Sequence, residues 1–308
     1  MMENQDSPPL HPSLAPLLLF QPGHGGCADQ AEEETTDDNG GTRFLYSIPK
    51  RQLFVVSGFD YLNIATRWIT PQGWVLVNRD TRCLLSTPQP DDDRGCVVLL
   101  IHLRDPVLWY CGLDDHGRRR WCRHEYSPET ISTDNPSYVT YAMRRLVAMR
   151  GKFYTIFQAE KLVALEFSPG PVFSTTRAVI TPWLSGFYRT GLVESRGDLF
   201  AVRLNLEPSR RIGIIDIFVY KLVSSKNAWV KVAGLGDNRV FFFGRDMDQF
   251  GVSMAADELG FKGNCIYFTR YKDKGLYVYD LEQGATTVHN PGPDVPDSTG
   301  GLLLMRVA

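Results

Sequence analysis

Apolar positions in this chain come in short bursts, about 4–8 residues long, which is the length of β-strands in globular proteins. Few stretches sustain a 3.6-residue period. Predicted strands include Trp74 to Asn78, Cys83 to Ser86, Val97 to His102, Pro106 to Gly112 and Arg120 to His124. Further along come Arg144 to Met149, Phe153 to Phe157, Leu162 to Phe167, Gly191 to Glu194, Leu199 to Leu204, Ile214 to Leu222 and Trp229 to Val232. Val240 to Phe243, Cys265 to Arg270, Leu276 to Asp280 and Ala285 to Val288 complete the run. Gly, Asp, Asn or Pro turns separate them. Asp246 to Gly260 reads as a place for a helical turn, and Tyr138 to Arg145 fits either state.

One unit recurs: a basic or polar residue, then Gly, then an apolar burst. It reads Gln72-Gly73-Trp74, Arg150-Gly151-Lys152-Phe153, Arg196-Gly197-Asp198-Leu199 and Lys262-Gly263-Asn264-Cys265. Gly151 and Gly197 are 46 residues apart, close to the ~40–50 residues of a four-stranded propeller blade. The unit predicts equivalent turns at Gly151, Gly197 and Gly263. The fold class is therefore all-β: a single β-propeller of about six blades, within a range of five to seven. Residues 14–308 form it and residues 1–13 are a disordered N-terminus. The stretch 21–42 is a flexible acidic insertion carrying Glu32, Glu33, Glu34, Asp37 and Asp38. A propeller must close its ring, and the N-terminal strands with Leu302 to Val307 are the natural partners.

The 308 residues are long enough to bury a large core without staples. With 33 basic and 35 acidic residues the net charge is −2. This balance offers no field for nucleic acid or an anionic membrane. No apolar run approaches the ~18–20 residues that span a bilayer. No Lys or Arg precedes Arg43, so neither a secretory signal nor an Arg-rich transit peptide is evident. None of the six Cys forms a C-x-x-C pair, which fits a reducing compartment. A cytoplasmic or nuclear location is expected, with an organellar one the alternative.

Motifs that carry chemistry are weak. Cys122 and His124 could share one strand face near Cys111, but zinc needs four ligands at disciplined spacings. Ser47-Ile48-Pro49-Lys50 matches an S-x-x-K string without its companion motifs, and Pro49 stands between the two reactive residues. Gly23 to Gly26 and Gly234 to Gly236 lack a strand–loop–helix frame for phosphate. No catalytic residue, metal ligand or cofactor is expected. For binding, Arg118, Arg119 and Arg120 read as a hairpin tip able to pair an acidic or phosphorylated partner. Trp68, Trp183 and Tyr188 lie in loop-like contexts, where large aromatics are either core lids or binding hot spots. Trp74, Trp109, Trp121 and Trp229 read as strand residues packed between blades.

Leu192 to Val202, Phe218 to Leu222, Trp229 to Gly244, Lys262 to Thr269 and Tyr279 to Glu282, in that order, resemble the plant KIB-type β-propeller family, also called domain of unknown function 295. Phe44 to Pro49, Gly73 to Leu76 and Leu84 to Pro88 are similar to its opening blades. The resemblance implies an all-β propeller. Many members carry an F-box, a helical bundle that docks on the Skp subunit of a ubiquitin ligase, ahead of a substrate-presenting propeller. No helical Leu-Pro-x-Asp/Glu opening is present in residues 1–42. Direct Skp binding is therefore not expected.

The expected function is a non-enzymatic protein-interaction module resembling the substrate-recognition propeller of such proteins. It would be monomeric, with a protein partner of unknown identity. The alternative is a small-molecule- or sugar-binding propeller, conceivably enzymatic, with an unrecognised central pocket.

Overall fold

A computed structural model of the chain describes residues 17–20, 43–56, 67–69, 75–77, 81–87, 96–102, 104–113, 119–131, 139, 142–143, 145–157, 161–167, 170–181, 187–206, 214–236, 238–244, 251–257, 260–270, 273–295 and 302–304. Residues 1–13, expected to be a disordered N-terminus, and 21–42, expected to be a flexible acidic insertion, lie outside them.

Six sheets form among these residues. The first has the order β24-β1-β2-β3, from β1 (Leu17–Phe20), β2 (Arg43–Ser47), β3 (Gln52–Val56) and β24 (Leu302–Leu304). The second is the two-stranded pair β4 (Arg67–Ile69) and β5 (Val75–Val77). The third runs in sequence order through β6 (Thr81–Leu85), β7 (Val98–His102), β8 (Val107–Leu113) and β9 (Arg119–Glu125). The fourth likewise uses β10 (Val147–Met149), β11 (Lys152–Phe157), β12 (Lys161–Phe167) and β13 (Pro171–Arg177). The fifth has the order β14-β18-β17-β16-β15, from β14 (Val179–Thr181), β15 (Phe187–Ser195), β16 (Asp198–Leu206), β17 (Ile214–Val223) and β18 (Ala228–Val232). The sixth has the order β20-β19-β21-β22-β23, from β19 (Arg239–Phe243), β20 (Gly251–Ala255), β21 (Cys265–Arg270), β22 (Asp273–Asp280) and β23 (Ala285–His289).

Successive sheets meet through terminal strands. β4 touches β6, β6 touches β10, β10 touches β15, and β15 touches β20. That chain of inner-edge contacts sets the sheets radially. β1 pairs with β24, Leu17 opposite Leu304 and Leu19 opposite Leu302, so the two ends of the ring meet in one sheet. The architecture is a single all-β propeller. The described residues do not carry six full blades, because the second sheet has only two strands.

Blade faces explain the sequence pattern. A sheet between two neighbours buries both faces, so its strands read as nearly continuous apolar runs. In β16, Leu199 and Ala201 join a core shared with Val147, Met149 and Leu162 of the fourth sheet. Their neighbours Phe200, Val202 and Leu204 join Phe241, Phe243 and Ile266 of the sixth sheet. A third core unites Leu99, Ile101 and Leu108 of the third sheet with Phe153, Phe157 and Leu165 of the fourth. A short helix α1 (Pro128–Ile131) also sends Ile131 into it. Trp229 is 0% exposed, in the core between the fourth and fifth sheets, as its strand pattern predicts.

The recurring Gly unit holds at two sites. Arg150 and Gly151 have φ of 51° and 77°, and Arg196 and Gly197 have 54° and 79°. Each pair joins the first two hairpin strands of its sheet, β10–β11 and β15–β16, where a two-residue turn needs positive φ at both positions. Gly263 departs from the expectation. There Asn264, not Gly263, takes positive φ (58°). The reason is topological: β21 pairs in parallel with β19, so its entry is not a hairpin turn. Gly263 is needed for space instead, since a Cβ would lie 2.8 Å from Asn238 Oδ1. Within Asp246 to Gly260, β20 occupies residues 251–255 as a strand, and after it the Gly260 N–H donates to Asp257 O at 3.2 Å in a tight helical turn. Gln72-Gly73 lies outside the described residues.

Candidate interaction surface

The outer rim of the third sheet carries the most distinctive surface. β9 is its last strand and pairs antiparallel with β8, with Trp121 opposite Cys111 and Arg123 opposite Trp109. Alternation places Trp121, Arg123 and Glu125 on one face and Arg120, Cys122 and His124 on the other. Trp121 is 51% exposed, with Arg123 and Glu125 exposed on its face and Arg120 exposed on the other. Arg123 Nη1 meets Glu125 Oε1 at 2.5 Å, but both ends are solvated, so the pair is worth at most about 1 kcal/mol.

The strand behind this rim is firmly held. Tyr110 on β8 lies opposite Cys122, and its ring stands 4.8 Å from that of Phe167 in the next sheet. Burial and a hydrogen bond with Cys122 push the Tyr110 hydroxyl pKa up. Tyr126, just after β9, packs 5.6 Å from Phe173. On the other face Trp109 meets His102 edge-on at 6.2 Å. His102 Nδ1 accepts the Asp105 backbone N–H at 2.9 Å. The rim thus presents its side chains from a fixed platform.

The predicted site residues divide. Arg119 and Arg120 belong to β9 rather than to a hairpin tip, and Arg118 lies outside the described residues. Trp68 is a strand residue of β4, not a loop residue, and its side chain is outside the description. Trp183 lies outside the described residues. Tyr188 is on β15, also a strand, and is half-buried. The Arg203 guanidinium stacks 3.9 Å above its ring, and Arg203 itself is 1% exposed. Tyr188 is thus a packing partner for a buried arginine, not an exposed anchor. The reading of Trp121 as an inter-blade residue is corrected, since β9 ends its sheet among the described residues and Trp121 is 51% exposed. Its signal was in the sequence: Arg-Arg-Trp-Cys-Arg-His-Glu puts charges on both faces, which a central strand cannot bury.

Other candidate chemistry takes structural roles. Cys111 and Cys122 point to opposite faces of their hairpin, which separates Cys111 from the Cys122–His124 pair. Ser47 is buried, and its hydroxyl accepts the Lys50 N–H at 3.3 Å to close the β2–β3 turn. Burial pushes the Cys83 and Cys265 thiols up to about 11, away from nucleophilic behaviour near neutral pH. Among the described residues no cluster of His, Cys, Asp and Glu could hold a metal ion. No described helix is long and apolar enough to cross a membrane.

A groove of about 360 Å³ opens beside the Arg150-Gly151 and Arg196-Gly197 turns, lined in part by Arg150, Asp198, Lys221 and Ser224. Lys221 Nζ is paired with Asp198 at 2.7 Å, so the groove is mixed in charge. Arg150 lies across Gly197, where a Cβ would come within 3.1 Å of its Nη2. The Gly197 N–H donates to Glu194 Oε1 at 2.6 Å.

Radial sheets and the pairing of β1 with β24 in one sheet define a β-propeller, with Trp121 exposed on the outer strand of its third sheet. Residues 35–289 match the model of the KIB1-4 beta-propeller family, and the chain belongs to that family. No curated protein matches the chain.

Proposed function

We propose that this chain is a non-enzymatic protein-interaction module that holds its partner on the outer rim of the third sheet. The observation that carries this reading is Trp121, 51% exposed on a held strand, with Arg123 exposed on its face and Arg120 on the opposite one. Trp and Arg are the residue types that dominate binding hot spots, and a large exposed ring on a held strand loses little entropy on binding. Membership of the KIB1-4 beta-propeller family supports a scaffold that presents partners. The β4–β5 ladder is read as a reduced blade, which makes six blades in all. The cytoplasm or nucleus suits the unpaired, buried cysteines.

The role follows that of a substrate-recognition propeller, with any ubiquitin-ligase contact supplied by another subunit. Purified chain is expected not to retain recombinant Skp in a salt-washed pull-down; stoichiometric retention rejects that part. For the rim, affinity purification with mass spectrometry compares wild type and Trp121→Ala. Proteins retained by the first and lost by the second are expected. Identical partner sets with both would sink the assignment of the rim.

A further inference from the structure

The fifth sheet shows what the outer edge of a blade can accept in this molecule. After β13 the chain leaves the fourth sheet and adds β14 to the outer edge of β18, in parallel, with Val179 opposite Ala228 and Thr181 opposite Val230. A further main-chain bond runs from Val179 N–H to Asn227 O at 3.1 Å. Strand addition at a blade's rim is therefore already used once within the fold. The third sheet has no such cap among the described residues: β9 is its outer strand and pairs only with β8.

Among the other strands that end their sheets are β13 and β23. Their exposed positions are small or β-branched, such as Ser174, Thr175, Ala285, Thr287 and Val288, with one arginine at Arg177. β9 differs in chemistry, with Arg119, Arg120 and Arg123 along seven residues, one acid and an exposed tryptophan. Charges on an edge guard against self-pairing. Arginines do so most strongly against a second copy of themselves, and they attract an acidic strand. Protection alone does not explain an exposed Trp121.

We propose that β9 receives an extended acidic segment of a partner protein by strand addition. Main-chain hydrogen bonds along β9 would supply register, carboxylates would face Arg120 and Arg123, and an apolar side chain would cover Trp121. This rests on the rim reading above and gives it a partner chemistry.

The test uses the full chain and a capped seven-residue peptide, Thr-Glu-Thr-Val-Glu-Glu-Thr, matched to the length of β9. Two further forms carry N-methyl groups on alternate amides, one on the odd and one on the even positions. Only one edge of an added strand faces β9, so one methylated form should lose more than tenfold in affinity and the other should keep it. Amides of β9 should gain hydrogen-exchange protection with the unmethylated peptide. Arg120→Glu with Arg123→Glu should weaken binding more than tenfold, and a Lys-for-Glu peptide should not bind. Both arginines are exposed, and a thermal melt of the variant checks that it folds. No binding, equal binding of both methylated forms, equal binding of the Lys peptide, or self-association through β9 each overturns the proposal. If these fail while Trp121→Ala still abolishes partner capture, strand addition falls and the interaction reading stands.

Discussion

The fifth and third sheets are built from the same kind of strand but end differently. At its outer strand the fifth sheet buries Trp229 completely and covers the edge with β14. The third sheet leaves Trp121 half in water at the equivalent outer strand and carries no added strand among the described residues. The same residue type thus occupies two environments. In β18, Trp229 precedes exposed Val230 and Lys231 and faces a core of Leu222, Ala178 and Ile180. In β9, Trp121 stands among arginines on a rim. Burial, not residue type, separates the two positions.

That contrast can be broken most forcefully at Trp229. Trp229→Ala should cost roughly 3–5 kcal/mol, as large aromatic truncations in cores do. Chemical denaturation measures it, and an unchanged midpoint would contradict the packing described here. Next comes Gly251, where β20 approaches β15. A Cβ there would sit 2.5 Å from Leu192 O and 2.8 Å from Val193 Cβ. Gly251→Ala should destabilise by about 1–3 kcal/mol through overpacking, and a neutral result would mean the two inner strands can part.

A smaller effect is expected with pH. Burial raises the Cys83 thiol from an ordinary 9.0 to about 11, and does the same for Cys265. Between about 9 and 11 the unfolded chain releases these protons while the folded chain keeps them. This contribution is present in full below 9 and is lost as pH rises through 11. Urea melts across that range should show stability declining, with the slope reduced in Cys83→Ala. The smallest effect on stability belongs to Trp121→Ala, within about 0.5 kcal/mol, as for exposed sites away from special contacts. Its effect should appear in partner capture alone; a large drop in melting temperature would place Trp121 in the core after all.

Strand content, radial repetition and the hairpin turns at Gly151 and Gly197 were legible in the residues, because alternation and positive-φ glycines are local properties. Pairing of Leu17–Leu19 with Leu302–Leu304 was legible too, since a ring must close. The burial of Trp229 followed from its apolar alternation. Gly263 was misleading, because the same Lys-Gly-Asn string serves a hairpin in one topology and a parallel crossover in another. β19 and β20 decide between them from outside the string.

The recognition surface divides along the same line. Arg119 and Arg120 were flagged by charge, but their place on an edge strand was not readable from a basic tripeptide. Tyr188 looked like a loop aromatic, yet Arg203, fifteen positions later, covers its ring because β15 and β16 pair Thr190 with Arg203. Whether a strand is central or outer depends on which segments arrive beside it, and β14 reaches β18 from nearly fifty residues upstream. Local chemistry settled that this chain makes β-strands arranged in a ring. Only long-range pairing decided which tryptophan is sealed in a core and which is left exposed on a rim.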